Sequence, residues 1–310
     1  MKTVMLALVL FPIMIFADWT VIRQGESDDC YLSWLQDDQG KTYVLKQIKD
    51  LDPSEQFLLV VDATANQIGY RLGISVNHVK MIPASMDFPG KKIKGYPATL
   101  HNEAPGKPAE ENLPWKGFTI HQRYRKPGSW MEKKWGPLAS NQRGLTVEVM
   151  KNICRHPELQ KIAALDTFVG NSDRSLPNIF YDGKKNQFCG IDMAASFSTG
   201  LAIIASKQLT QCDPEIKLPI FFETLRELYR QITPESMAQL IDDYAEEGGF
   251  HDQDYLNTTD VWDRAAFHKR MFRENYDYVS LLITHLIALQ ELTNAYTESR
   301  HVEGVRGTPH

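Results

Sequence analysis

The sequence predicts an α+β chain in which a small β-rich lobe precedes a larger helical one. Three observations carry that prediction. Short strand-like runs separated by turn residues fill the stretch from Trp19 to Ile48. A connector rich in Pro, Gly, Ala and Glu runs from Asn102 to Pro114. Beyond it, apolar residues recur mostly at helical spacing. Strands followed by helices read as α+β rather than as an alternating α/β chain. A length of 310 residues suits one bilobal unit or two small domains. Hydrophobic residues at 43% and charged residues at 24% allow a sizeable core and exclude global disorder. A net charge of −5 leaves no basic excess for coating nucleic acid, so no nucleic-acid partner is expected.

Residues 1–17 are set apart from the fold. Lys2 precedes an apolar run from Val4 to Ala17, broken only by Pro12 and followed by Asp18. That order describes a cleaved secretory signal. The run is short for a bilayer span, and an uncleaved anchor or a buried first helix is the alternative. The mature chain is expected to begin at Asp18 and to be secreted or periplasmic. Cys30, Cys154, Cys189 and Cys212 are spaced too widely for a zinc site. They allow one or two disulfides after export, with buried free thiols as the alternative.

Residues 18–104 form the expected β-rich lobe. Trp19 to Ile22, Cys30 to Leu35 and Thr42 to Ile48 read as three antiparallel strands. Gln24 to Asp29 is a polar turn containing Gly25, and Asp37 to Gly40 is a hairpin turn. Asp52-Pro53-Ser54-Glu55 starts a helix whose apolar residues run from Leu58 to Leu72, with Gly73 as its stop. Val76 to Ile82 and Tyr96 to His101 supply further strands.

Residues 105–310 form the expected helical lobe. Helices are predicted over Leu145 to Cys154, Pro157 to Leu165, Leu218 to Ile232, Pro234 to Glu247 and Val261 to Tyr296. Either Thr233 or Ser236 caps the Pro234 helix. Phe267, Met271, Tyr278 and Leu282 are taken as the core face of the last helix, and the tail from Glu298 is expected to fray.

The chemistry concentrates in Gly170-Asn171-Ser172-Asp173-Arg174, then Asn178, then Asp192. Two strand-like pieces, Ile179 to Tyr181 and Phe188 to Ile191, flank a turn between Asn178 and Asp192. One carboxylate can deprotonate a hydroxyl, while an amide and a second carboxylate offer hard oxygen ligands to Mg²⁺. Taken singly, each residue has a plainer reading. Lys46 suits a solvated strand edge, Asp173-Arg174 a surface turn, Asn178 turn chemistry, and Asp192 a helix cap.

The ordered pattern D-R-x-x-x-N, hairpin, I-D resembles the catalytic and metal-binding loops of the protein-kinase-like superfamily. The words from Gly170 to Arg174 look closest to its HipA-like and phosphoinositide 3-/4-kinase-like branches. The resemblance implies a bilobal kinase-like fold, Asp173 as catalytic base, and Asn178 and Asp192 as Mg²⁺ ligands. It implies that Lys46 contacts the phosphates of ATP. Asp62, where relatives carry a Glu, would pair with Lys46, with Glu55 as a second candidate. Gly25 would belong to the loop over the phosphates, although Glu26, Asp28 and Asp29 depart from the glycine-rich pattern. Ser175 and Met193-Ala194 are further departures.

The implied activity is transfer of the γ-phosphate of ATP to a protein hydroxyl or an inositol-type lipid by an exported chain. A catalytically silent kinase-like binding module is the alternative. Delivery into a host cell, or an ATP-containing secretory lumen, would supply the nucleotide. Basic clusters at Lys91 to Lys94, Arg123 to Lys126 and Lys133-Lys134 fit an anionic membrane surface or a merely solvated face.

Overall fold

The computed structural model describes residues 19–109, 156–171, 173–174, 178–197 and 219–305, without the side chains of 286 and 289–305. The expected signal at 1–17, the expected helix over Leu145 to Cys154, the basic clusters from Arg123 to Lys134, and Cys154 and Cys212 lie outside the described residues. Among the described residues no helix is long and apolar enough to cross a membrane.

The first sheet contains β1 (Thr20–Glu26), β2 (Cys30–Gln36), β3 (Thr42–Ile48), β4 (Val79–Ile82) and β5 (Ala98–Asn102), in the order β1-β2-β3-β5-β4. All its pairings are antiparallel. Leu32 stands opposite Lys46 and Trp34 opposite Val44, while Lys46 stands opposite Thr99 and Val44 opposite His101. Because side chains alternate along a strand, these six residues share one face. Leu35, Leu45, Ile82, Ala98 and Leu100 point the other way and close a small core with Phe88.

Helix α1 (Pro53–Gln56) is capped by Asp52, whose side chain accepts from the Ser54 N–H at 2.8 Å. Helix α2 (Leu58–Arg71) then crosses the inner face of the sheet, burying Leu59, Val60, Val61 and Ile68. The sequence predicts one helix here, and the chain instead makes two with a slight offset at Phe57. Phe57 is fully buried against Phe250, 5.5 Å between ring centroids, and this packing fixes where the offset falls.

The larger lobe holds a second sheet, in the order β6 (Lys107–Pro108), β7 (Ile179–Asp182), β8 (Gln187–Gly190). Gly106 enters it at φ +83°, and a Cβ there would stand 2.1 Å from the Tyr181 carbonyl oxygen, so only glycine fits. Helix α3 (Pro157–Val169) packs on β8, and the lobe continues with α4 (Pro219–Gln231), α5 (Pro234–Glu247) and α6 (Thr259–Val305). Gly170 ends α3 in the left-handed region. Thr233 caps α5, with Ser236 completing the reciprocal pair of bonds.

Helix α6 corrects two expectations. It continues to Val305 rather than fraying from Glu298. Its buried stripe is Val261, Ala265, His268, Phe272, Asn275 and Val279, whereas Phe267, Met271, Tyr278 and Leu282 are only half-buried. The polar His268 and Asn275 disguise the true face in the sequence. Asn275 is buried because its amide donates to the Thr167 and Phe168 carbonyls at 2.9 and 2.6 Å.

One hydrophobic core runs through both lobes, from Val60 and Val79 through Leu165 and Phe168 to Phe272. The cleft between the lobes is lined by the inner face of the first sheet on one side and by β7 and Ile191 on the other.

Candidate active site

Lys46 sits at the floor of this cleft between two carboxylates. Its Nζ donates to Asp192 Oδ1 at 2.8 Å and to Asp62 Oδ2 at 3.4 Å. The three residues come from β3, α2 and the segment after β8. Burial pushes the Lys46 ammonium down, but Asp62 and Asp192 outweigh it and hold the group above the usual lysine range. For Asp192, burial works against the charge, and Lys46 more than offsets it, leaving the carboxyl below the usual aspartate range.

Asp62, one methylene shorter than the Glu of the resemblance, still reaches Lys46. It is fully buried and satisfied on both oxygens. Oδ1 accepts from the Met193 N–H at 2.9 Å and from Asn66 Nδ2 at 2.7 Å, and Oδ2 also lies 3.7 Å from His101 Nε2. Glu55, the second candidate, does not approach Lys46. It pairs with Arg264 of α6 at 3.0 Å.

Asp173 and Asn178 stand together on the far side of the cleft. Asn178 Nδ2 donates to the Asp173 carbonyl at 2.9 Å and to Asp173 Oδ2 at 3.2 Å. Asp173 Oδ1 has no hydrogen bond of its own among the described residues, and the residue is exposed. Asp173 and Asp192 both border a hollow of about 710 Å³, together with Asp28, Asp29, Asp50 and Arg264. Asp192 adopts φ +55°, a conformation uncommon outside glycine that aims its side chain into the cleft.

Arg174 holds this loop in place, a role the sequence does not assign to it. Its guanidinium pairs with buried Asp166 at 2.8 and 2.9 Å and donates to the carbonyls of Asn178 and Ile191, each at 2.6 Å. One side chain therefore ties α3, the Asp173–Asn178 loop and the segment leading to Asp192. Burial opposes the charged guanidinium, and Asp166 more than compensates, keeping it above the usual arginine range. Asn171 adds a bond to Asp166 Oδ1 at 2.9 Å.

Gly25 does not lie in the turn expected over Gln24 to Asp29. Strand β1 continues through Glu26, so Gly25 pairs with Leu32 and the turn shrinks to residues 27–29. That turn is closed by the Ser27 N–H donating to the Cys30 carbonyl at 2.8 Å. Cys30 and Cys189 are buried free thiols, and burial pushes both up, Cys189 to about 11. Lys46 is not the solvated edge charge of its plainer reading, since its side chain is only 13% exposed.

Among the described residues no three His, Cys, Asp or Glu side chains form a ready-made metal cluster. The donor set available is the Asn178 amide oxygen and the Asp192 carboxylate. Asn178 spends its Nδ2 on Asp173, which leaves Oδ1 as a donor, and the Asp192 side chain is 41% exposed and held ionised by Lys46. Two hard oxygen donors at the cleft suit Mg²⁺, which commonly takes one or two protein oxygens and completes its shell with water and phosphate.

No family model matches the sequence, and no curated protein matches it. Among solved structures, the chain is similar to the proinflammatory kinase CtkA of Helicobacter pylori, with TM-score 0.46 and 11% identity over 89% of this chain and 97% of that one. It is also similar to the Rio2 kinase of Chaetomium thermophilum, solved with ADP, Mg²⁺ and phosphoaspartate, with TM-score 0.35 and 12% identity over 83% and 71% of the two chains. An aminoglycoside phosphotransferase of Alicyclobacillus acidocaldarius gives TM-score 0.31 and 11% identity over 86% and 93%. These similarities do not single out the HipA-like or phosphoinositide-kinase-like branches. The chain's own elements run in a bilobal α+β order: an antiparallel sheet, a helix across its inner face, then a helical lobe carrying a hairpin at the cleft.

Proposed function

We propose that the chain is an ATP- and Mg²⁺-dependent phosphotransferase that acts on a hydroxyl acceptor. The observation that carries this reading is the Lys46 ammonium fixed between Asp62 and Asp192, across the cleft from Asp173 and Asn178. Asp62 keeps Lys46 charged and aimed, so that its ammonium takes the nucleotide phosphates. Asp173 accepts the proton of the acceptor hydroxyl on Oδ1 as that oxygen bonds to the γ-phosphorus and the bond to the ADP oxygen breaks. Asn178 orients Asp173 through Nδ2. Asn178 Oδ1 and Asp192 would hold Mg²⁺, which when bound neutralises charge on the phosphates.

The acceptor class is a protein hydroxyl or an inositol-type lipid, and the protein acts after export, beginning at Asp18. Intact mass of the exported protein checks the latter: retention of residues 1–17 would defeat it.

A second reading, a silent nucleotide-binding module, is favoured by Asp28 and Asp29, which put carboxylates where an anionic phosphate chain must lie. Calorimetric titration with a non-hydrolysable ATP analogue, with and without Mg²⁺, separates binding from silence. Mass-spectrometric detection of phosphate transfer from ATP then separates catalysis from binding. Asp173→Asn should bind and not transfer, whereas Asp192→Asn should lose Mg²⁺-dependent binding. The reverse pattern would exchange the two roles, and no binding by the wild type would end both readings.

A further inference from the structure

The charges around the hollow that Asp173 borders do not balance. Each of its Lys and Arg residues is already committed to a carboxylate. Lys46 is held by Asp62 and Asp192, Lys49 lies 3.2 Å from Glu26, and Arg264 pairs with Glu55 at 3.0 Å. Asp28 and Asp29, exposed on the turn between β1 and β2, have no side-chain hydrogen bond or ion pair among the described residues. Asp50 spends Oδ1 on the Asp52 N–H at 2.9 Å and keeps its other oxygen. Among the described residues no three such side chains form a cluster that could hold a metal ion, so the excess charge is spread along the hollow rather than focused on one ion.

His268 gives an independent sign of a ligand. It borders the same hollow from α6 and is only 2% exposed. Its Nδ1 lies 3.2 Å from the Phe197 carbonyl oxygen, which can only accept, so Nδ1 carries the hydrogen. Burial pushes the imidazole down to about 4, which leaves the ring neutral at pH 7 and Nε2 a bare lone pair. Nε2 is buried and has no hydrogen-bond partner among the described residues. A buried acceptor without a donor is costly. The other unspent groups of the hollow, on Asp28, Asp29, Asp50 and Asp173, are acceptors too. A ligand that satisfies them brings donors and positive charge.

We infer that this hollow is the acceptor subsite and that it takes a protein serine or threonine neighboured by Lys or Arg. The inference rests on the phosphotransferase reading above and names its substrate class. Asp173 borders this hollow and not the one beneath the sheet, so the hydroxyl that gives up its proton to Asp173 enters here. Asp28, Asp29 and Asp50 are exposed, so an extended chain can lay basic side chains beside them while its hydroxyl reaches Asp173. Ammonium and guanidinium groups make charge-assisted bonds to carboxylates, and either can also donate to Nε2 of His268. A lipid headgroup would instead bring anionic phosphate oxygens to a wall of acceptors, where like charges repel.

The test is phosphate transfer from ATP by the full chain, read by mass spectrometry. The acceptors are peptide libraries with a central Ser or Thr and Arg, Gln or Glu fixed beside it, and phosphatidylinositol vesicles. The wild type should favour the arginine peptides over the glutamine ones by about tenfold in kcat/KM, with the glutamate peptides poorest. Replacing Asp28→Asn and Asp29→Asn together should raise KM for the arginine peptides about tenfold, hold kcat and shrink the preference. His268→Asn retains an amide N–H for the Phe197 carbonyl but removes Nε2, and should raise the same KM. If it does not fold, the exposed Asp28 and Asp29 substitutions decide the matter. Equal transfer to the arginine and glutamate peptides, or transfer confined to the vesicles, would overturn this inference and leave the phosphotransferase standing. Absence of transfer to every acceptor would overturn both.

Discussion

Two ion-pair clusters lie on either side of the cleft floor, and they are built differently. Arg174 and Asp166 are eight residues apart, their side chains are 9% and 0% exposed, and the guanidinium is bonded on every side. Lys46 and Asp192 are 146 residues apart, and the Asp192 side chain is 41% exposed. The first cluster is closed: its donors are used on the Asp166 carboxylate and on backbone carbonyls that must not move. The second is open, because one of its carboxylates faces the cleft and can exchange a partner. A buried pair with no spare valence positions the chain, and a pair with one wet member is available to a ligand.

The comparison breaks most visibly at Arg174. Arg174→Ala leaves Asp166 charged and buried without a counter-ion, and should cost about 3–5 kcal/mol of stability. Chemical denaturation measures it; a loss below about 1 kcal/mol would mean that the closed cluster is not structural.

Asp173→Asn, held by the same loop, should instead leave stability unchanged and lower turnover by about 10²- to 10⁴-fold. Initial rates of phosphate transfer, with a melting curve as control, check both halves.

Lys46→Ala tests the open cluster. The plain reading of Lys46 as an exposed strand charge makes it dispensable to the fold, but its contact with fully buried Asp62 says otherwise. The variant should lose nucleotide binding and also about 2–3 kcal/mol of stability. Unchanged denaturant midpoints would show that Asp62 is adequately served by Asn66, His101 and the Met193 N–H.

The smallest effect expected is a pH dependence. The folded state holds Asp192 below the usual aspartate range, so its pairing adds stability above the ordinary aspartate value. That contribution is lost as pH falls through the depressed folded value. Melting curves of the wild type and Asp192→Asn should therefore differ at neutral pH and converge below about pH 4. A gap that persists into acid would assign the difference to something other than this charge.

Much of this site is legible in the sequence because it is local. Asp173, Asn178 and Asp192 bracket a hairpin, and a short hairpin can bring its two ends together in few ways. Lys46 and Asp62 follow from a strand and the helix after it. What is not legible is orientation. Alternation along β3 places Lys46 on one face without saying which face is covered, so its burial is hidden. Asp166 carries a usable signal, since a carboxylate within an apolar helical run needs a partner, and Arg174 is the first Lys or Arg after it. Gly25 misleads because a glycine near acids looks like a turn, whereas here it makes room for an indole on a neighbouring strand. The buried face of α6 is masked by His268 and Asn275, whose burial depends on carbonyls of distant segments.

Asp62 has a consequence for how the cleft changes state. One oxygen serves Lys46 on the sheet, and the other holds the Met193 N–H immediately after Asp192. Both bonds run to the same buried carboxylate on α2, so the strand and the loop share one anchor. Any rotation of α2 that withdraws Asp62 loosens its hold on the strand and on the loop together.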